Sequence, residues 1–141
     1  MSQTKIKACV MTVAVNQLED LTDSQIAWPN RLFTPPGGLW VRVSYLPAPT
    51  SQKSLGNEGE DELKGILQLD VNTPTNIGDK AQADLLILLE SYFVPGRSFT
   101  HDSQTVIFTA ADRSNGRVVD SNWRVSLSVS FYGRYKRPSI L

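Results

Sequence analysis

The sequence predicts an α+β fold, in which two helices pack on one face of an antiparallel sheet of about four strands. The stretch 121–132 alternates strictly between apolar and polar residues, which is the period of a strand with one buried face. Two other stretches, 4–19 and 77–92, carry apolar residues at helical spacing. The elements follow one another as helix, strand, strand, helix, strand and strand, which suits helices covering one side of a sheet.

The composition is that of an ordinary folded protein. The 141 residues are 40% hydrophobic and 20% charged, with a formal net charge of zero, which predicts one domain over residues 1–141. No apolar run is long enough to span a bilayer, and the first residues lack the features of a signal peptide, so no membrane contact is expected. Cys9 is the only cysteine, which excludes an internal disulfide and favours a reducing cytosol.

The charges are divided unevenly along the chain. Residues 1–90 hold seven Lys/Arg against eleven Asp/Glu, whereas residues 91–141 hold seven against three. Subunits with oppositely charged sides attract one another head to tail, which favours rings or filaments. The alternative is that the charges mix once the chain folds.

The first helix and the loop after it have distinct signatures. The helix, from Thr4 to about Glu19, has one apolar stripe made of Ile6, Val10, Val13, Ala14 and Leu18. Residues 28–38 contain three prolines and two glycines, which exclude regular structure. Because Trp28 and Phe33 are also present, we expect a loop held against the core.

The next two strands form a predicted hairpin with a long exposed loop. Leu39–Leu46 and residues 63–71 both alternate, and the polar stretch Thr50–Asp61 lies between them. A loop of this length is uncommon unless it is functional or mobile.

The second half of the chain repeats the helix–strand–strand order. The second helix is predicted over 77–92, with an apolar stripe made of Ala81, Leu85, Leu88, Leu89 and Tyr92. A strand over Thr105–Ala110 follows, and the Asn115-Gly116 pair predicts the hairpin turn into the last strand. Residues 133–141 are expected to form a short basic tail.

The sequence offers little for catalysis. His101 is the only histidine, and its nearness in sequence to Ser98, Asp102 and Ser103 is not the geometry of a triad. Asp61 and Asp70 are a weak candidate for a carboxylate pair. Phosphate-loop and dinucleotide motifs are absent. We therefore predict no enzyme and no catalytic, cofactor-binding or metal-binding residues.

A basic cluster near the end of the chain is the best candidate for nucleic-acid contact. Arg134, Lys136 and Arg137 alternate with Tyr132 and Tyr135. The zero net charge argues against strong DNA affinity. A solvated tail is the alternative interpretation.

Several motifs together resemble a known family. They are Ile26–Asn30, Phe33–Pro36, Leu39–Val41, Leu55–Gly59, Gly65–Val71 and Gly78. Over residues 25–132 the chain is similar to the small bacteriophage tail terminator (tail completion) proteins.

The resemblance implies a structural virion protein. Such a subunit assembles with itself into a ring, commonly a homohexamer, that caps the tail tube, stops its polymerisation and meets the head–neck connector protein. DNA passes through the lumen without sequence readout. The resemblance also implies a place at the head-proximal end of the virion tail after assembly in the host cytoplasm, and it carries over no catalytic residue.

The sequence and the resemblance together assign hypothetical contact residues. Subunit or tail-tube contact is assigned to the exposed loop and to one residue of the last strand, namely Lys53, Leu55, Asn57, Glu58, Glu60 and Arg124. Contact with a neighbour or with DNA in the lumen is assigned to Arg134, Lys136 and Arg137. Ordinary solvent exposure is the alternative for each residue. A monomeric binding module or nucleic-acid accessory protein is the alternative function, and an enzyme comes third.

Overall fold

The computed structural model describes residues 3–52, 59–75 and 78–136. Two α-helices, one short 3-10 helix over Asp23–Gln25 and eight strands are present in this part of the chain. Their bounds are α1 Gln3–Gln17, β1 Ile26–Ala27, β2 Trp40–Pro47, β3 Ser51–Gln52, β4 Glu60–Pro74, α2 Lys80–Tyr92, β5 Ser98–His101, β6 Gln104–Arg113, β7 Arg117–Val119 and β8 Asn122–Lys136.

All of these strands belong to one sheet. Its order is β1-β2-β4-β8-β6-β5, with β3 added to β4 and β7 added to β8. The pair β1–β2 is parallel and the other pairs are antiparallel. The α+β class is confirmed, but an antiparallel sheet of about four strands is wrong. The four missed strands have only two to four residues each, too few to show a period of two.

Strands β4 and β8 form the centre of the sheet. Each has 15 residues, and they pair without interruption from Glu60 opposite Lys136 to Pro74 opposite Asn122. The predicted tail beginning at residue 133 is therefore wrong, because Gly133 and Tyr135 are buried within β8. The extra strand length follows from pairing with β4, which the tail's basic composition does not reveal. Residues 137–141 lie outside the described part.

The core lies between the inner face of the sheet and the two helices. The inner face is formed by the odd-numbered residues of β4 and β8, chiefly Leu67, Leu69, Val71, Val125, Leu127, Val129 and Phe131. The predicted stripe of α1 is confirmed, because Ile6, Val10, Val13, Ala14 and Leu18 are all buried. Burying apolar area at about 25 cal/mol per Å² is the main stabilisation of such a layer.

The predicted stripe of α2 is confirmed only in part, and the helix begins at Lys80. Leu89 is buried and Leu85 and Tyr92 pack half-buried against the core, whereas Ala81 is exposed. The buried residues of α2 are Gln82, Leu86 and Leu89, whereas Leu88 is 47% exposed. The Gln82 side-chain amide donates to the backbone oxygens of Val71, at 2.8 Å, and Trp123, at 3.1 Å. These two bonds tie α2 to β4 and β8 and fix its rotation.

The loop after α1 is held against the folded chain by its two aromatic residues, as predicted. Trp28 packs against the core, and the Phe33 ring lies with its centroid 5.0 Å from that of Trp40. Because Trp40 points to the sheet face opposite the helices, the loop wraps around the β1–β2 edge.

The hairpin turns differ from the prediction. Strands β2 and β4 do pair as a hairpin, but β3 occupies part of the predicted loop, and residues 53–58 lie outside the described part. The predicted hairpin turn at Asn115-Gly116 is wrong, because the strands on either side of it, β6 and β7, pair with β8 and not with each other. Two-residue turns instead occur at Asp102–Ser103 and Asp120–Ser121, and all four residues have positive φ, as type I′ turns require.

The two oppositely charged halves interleave. Lys5 lies 3.6 Å from Asp102, Arg134 lies 3.3 Å from Glu62, and Arg113 pairs with Glu90. Each pair joins the first 90 residues to the remainder. The described ion pairs therefore favour mixed charges over two opposed sides.

Candidate assembly surface on the outer face of the sheet

The outer face is the side of the sheet away from the helices. Its central part consists of the even-numbered residues of β4 and β8, which lie directly opposite one another. From one end to the other the pairs are Asn72–Arg124, Asp70–Ser126, Gln68–Ser128, Ile66–Ser130, Lys64–Tyr132 and Glu62–Arg134. Neither described helix covers this face, so its polar residues bond within the sheet, to water or to another molecule.

Arg124 is positioned by a buried amide. Its Nε donates to Oδ1 of Asn72 at 2.7 Å, and Asn72 is completely buried. The Asn72 Nδ2 donates in turn to the backbone oxygens of Asp70, at 3.0 Å, and Trp40, at 3.4 Å. The guanidinium group is therefore anchored through Nε, and its remaining N–H groups have no hydrogen-bond acceptor among the described residues.

Asp70 is the centre of a second hydrogen-bond network. Its Oδ1 accepts from Ser126 Oγ at 2.5 Å and from Gln68 Nε2 at 2.9 Å, and the residue is only 4% exposed. Arg117 donates to Ser126 Oγ at 3.3 Å, and the backbone N–H of Ser126 donates to Ser114 Oγ at 3.0 Å. Ser126, Ser128 and Ser130 form a serine row on this face of β8, and Ser126 is thus satisfied within the chain.

The opposite end of the outer face is also charged. Arg134 Nε donates to Glu62 Oε2 at 3.3 Å, and Lys64 Nζ lies 3.7 Å from the other Glu62 oxygen. Glu60 and Lys136 are opposite one another in the same register. This end therefore presents exposed cations around a buried carboxylate.

The structure separates the predicted contact residues into two groups. Arg124 and Arg134 are ten residues apart on the same face of β8, about 33 Å at the usual strand rise. Glu60, Arg134 and Lys136 lie together at one end, and Arg124 lies at the other end. The remaining predicted residues, Lys53, Leu55, Asn57, Glu58 and Arg137, lie outside the described part.

A shallow apolar groove lies toward the Arg134 end of the outer face. Its volume is about 640 Å³, and its lining includes Leu46, Ile66, Thr109, Ser130 and Tyr132. Sequence reasoning missed it, because isolated apolar residues on an otherwise polar strand face carry no periodic signal. The only clue is that Leu46 and Ile66 depart from that polar pattern on paired strands.

Two buried groups beneath the sheet have shifted ionisation. Burial raises the pKa of the Tyr45 hydroxyl to about 12, and its ring stacks on Phe131 with centroids 5.7 Å apart. Burial also raises the pKa of the Cys9 thiol, which lies in the core. Both residues favour their neutral forms and serve packing.

The residues considered for catalysis do not converge. His101 is exposed at the end of β5, and Asp61 and Asp70 lie nine residues apart on opposite faces of β4. Among the described residues, no three or more His, Cys, Asp or Glu side chains are grouped so that they could hold a metal ion. Neither described helix has the length and apolar character needed to cross a membrane.

Similarity to known proteins gives this geometry its context. A family model described as "Phage tail terminator protein" matches residues 5–131. This chain belongs to the phage tail terminator family. The resemblance drawn from residues 25–132 is thereby confirmed. As a tail terminator protein, the chain has a structural role in the phage tail and associates with tail components.

Two further comparisons concern individual proteins. One solved structure superposes on this tail terminator with a TM-score of 0.75 and 21% sequence identity. The superposition covers 96% of this chain and 97% of the chain in that structure. At that identity the likeness shows the fold alone. No curated protein sequence matches the chain.

Proposed function

We propose that this tail terminator forms a ring that caps the tail tube, stops its polymerisation and provides the surface to which the head–neck connector joins. The family match over residues 5–131 is the observation that carries the proposal. We further propose a homohexamer, a single domain over residues 1–141, and a place at the head-proximal end of the tail.

The outer face is the proposed contact surface for the tail tube or for a neighbouring subunit. Neither described helix covers it, and it combines an anchored arginine at each end with an apolar groove. An anchored guanidinium loses little conformational freedom on binding, which suits it to a specific contact. We assign Arg124 to this contact, together with the loop residues Lys53, Leu55, Asn57, Glu58 and Glu60.

The charged end of the outer face is proposed to meet a neighbour's acidic groups or DNA in the lumen. Arg134 and Lys136 are exposed on neighbouring positions of the same strand face, and Arg137 follows them in sequence. Cations spaced along a strand interact with phosphates without reading bases. The contact with DNA is therefore expected to be independent of base sequence.

Deletion of the gene tests the proposal directly. Without this protein, electron microscopy is expected to show overlong tails or tails without heads, and the wild-type gene supplied in trans is expected to restore normal particles. Normal virions from the deletion strain would contradict the proposal.

Native mass spectrometry provides the complementary test, applied to the free protein and to protein bound to purified tails. A ring is expected in at least one of the two samples. A monomer in both samples would favour the monomeric binding module.

A further inference from the structure

Two exposed apolar features of this chain have no role in its core. Leu32, in the loop after α1, is fully exposed, and Ile87 and Leu88 on α2 are 60% and 47% exposed. They lie in different places, because the loop is at the β1–β2 edge and α2 packs over β4 and β6. Large exposed apolar side chains that cluster on one element commonly mark interaction sites.

The loop presents Leu32 on a rigid support. Trp28 is packed against the core on one side, and Phe33 is packed on Trp40 on the other. Pro29 and the left-handed Asn30, with φ of 57°, set the direction of the chain between these anchors. A tip that is fixed before binding loses little entropy when it docks.

The exposed face of α2 has matching chemistry. Asp84, Ile87 and Leu88 are spaced at i, i+3 and i+4, so they lie side by side on the helix surface. Asp84 is exposed, and so is Arg31, next to Leu32 in the loop. Within the described part of the chain, neither of these charged groups has a hydrogen bond or an ion pair.

We propose that the Arg31–Leu32 tip of one copy docks on the Asp84–Leu88 face of α2 in the next copy. Leu32 would cover Ile87 and Leu88, and the Arg31 guanidinium would meet the Asp84 carboxylate. The second copy is the chosen occupant because the two surfaces match in apolar character and in opposite charge on one chain. The inference rests on the proposed ring, since a contact between two different patches is heterologous and gives a ring when the rotation from copy to copy closes.

Chemical cross-linking tests the contact. In the variant with both Leu32→Cys and Leu88→Cys, a short bis-maleimide is expected to link successive copies and give a ladder on a denaturing gel. Buried Cys9 remains unreactive in the folded protein. The matched control pairs Leu32→Cys with Val118→Cys, another exposed apolar position. Val118 lies beside Asp79 at the start of α2, nine residues or about 13 Å along the helix from Leu88, so a short linker is expected to give no ladder.

The reaction is run on free protein and on protein bound to terminator-free tails, so that assembly confined to the tail is included. Rings by native mass spectrometry without a ladder would overturn this inference and leave the proposed function intact. Neither rings nor a ladder would contradict both. Dimers from Leu32→Cys alone would also overturn the inference, since they require like loops to meet.

A charge exchange provides a second readout. Arg31→Asp is expected to weaken ring formation about tenfold, because it places two carboxylates together. Adding Asp84→Arg is expected to restore most of the loss. Equal weakening by the single and double variants would contradict the pairing of these two residues.

Discussion

Ser126 and Ser130 occupy equivalent positions in the serine row of β8, but their surroundings differ. Ser126 donates to the buried carboxylate of Asp70 at 2.5 Å, whereas Ser130 has no side-chain hydrogen bond within the described residues. We expect Ser126→Ala to lower the free energy of unfolding by about 1–3 kcal/mol, since it leaves a buried acceptor with one donor fewer. Urea denaturation measures this change.

Ser130→Ala is the matched control, with an expected change within about 0.5 kcal/mol. Equal effects of the two substitutions would show that the Asp70 bond contributes nothing particular. The sequence could not separate these serines, because they are identical in the alternating pattern. The difference comes from the residue that β4 places opposite each one, which depends on register.

Tyr45 gives a pH-dependent prediction. Burial raises the pKa of its hydroxyl from 10.0 to about 12, so the unfolded chain releases this proton first. The contribution of Tyr45 to stability is therefore complete below pH 10 and is lost as the pH rises toward about 12. We expect Tyr45→Phe to reduce the loss of stability over that interval, as measured by urea denaturation at several pH values.

The same substitution has a second expected effect at neutral pH. The Tyr45 hydroxyl is buried without a hydrogen-bond partner in the described residues. Removing it should leave the stability unchanged or raise it by up to about 1 kcal/mol. A clear destabilisation by Tyr45→Phe at pH 7 would indicate a partner for the hydroxyl, and an unchanged alkaline profile would contradict the pKa assignment.

At the scale of elements, close packing of β4 on its neighbours depends on Gly65. A Cβ at this position would lie 2.7 Å from the Phe131 ring and 3.0 Å from the backbone oxygen of Leu46. We expect Gly65→Ala to destabilise the protein by about 1–3 kcal/mol, because the core ring and the adjacent strand must both shift. Thermal and urea unfolding measure the change.

Gly38→Ala is the control for the loss of glycine. Nothing lies within 4 Å of a Cβ built at Gly38, so this change should alter stability by no more than about 0.5 kcal/mol. If Gly65→Ala is as well tolerated as Gly38→Ala, the contact between β4 and Phe131 is looser than the structure indicates.

The two helices show what periodicity can and cannot predict. The buried face of α1 is the stripe predicted from helical spacing, although apolar residues such as Val15, which is 53% exposed, also lie off that stripe. Helix α2 contains five consecutive apolar residues from Leu85 to Leu89, and its spacing is compatible with several faces. The buried amide of Gln82 selects one of them, through bonds to strands that are distant in sequence. Such a long-range bond leaves no mark in the local pattern.

At the scale of the whole molecule, the charges of the two halves do not form opposed sides. Ion pairs such as Arg134–Glu62 join the basic half to the acidic half within one subunit. Attraction between gross positive and negative sides is therefore a weak basis for a ring. The proposed assembly depends instead on local surfaces, which sequence alone located only in part. Arg124 was found from the strand pattern, whereas the α2 face and the Leu32 tip needed the fold.

The role proposed for Arg124 can be separated from its structural bond to Asn72. Arg124→Gln retains an N–H donor for Asn72 Oδ1 and removes the positive charge, whereas Arg124→Lys retains the charge. We expect the Gln variant to keep the free energy of unfolding of the subunit within about 1 kcal/mol of the wild type. Its tail joining is expected to fall to about a tenth or less, because the positive charge is lost. The Lys variant should retain most of the joining activity.

Complementation of terminator-deficient tails, scored as infectious particles, measures the joining activity of both variants. If the two variants join tails as well as the wild type does, Arg124 serves only the Asn72 bond, and the tube contact must lie elsewhere on the outer face.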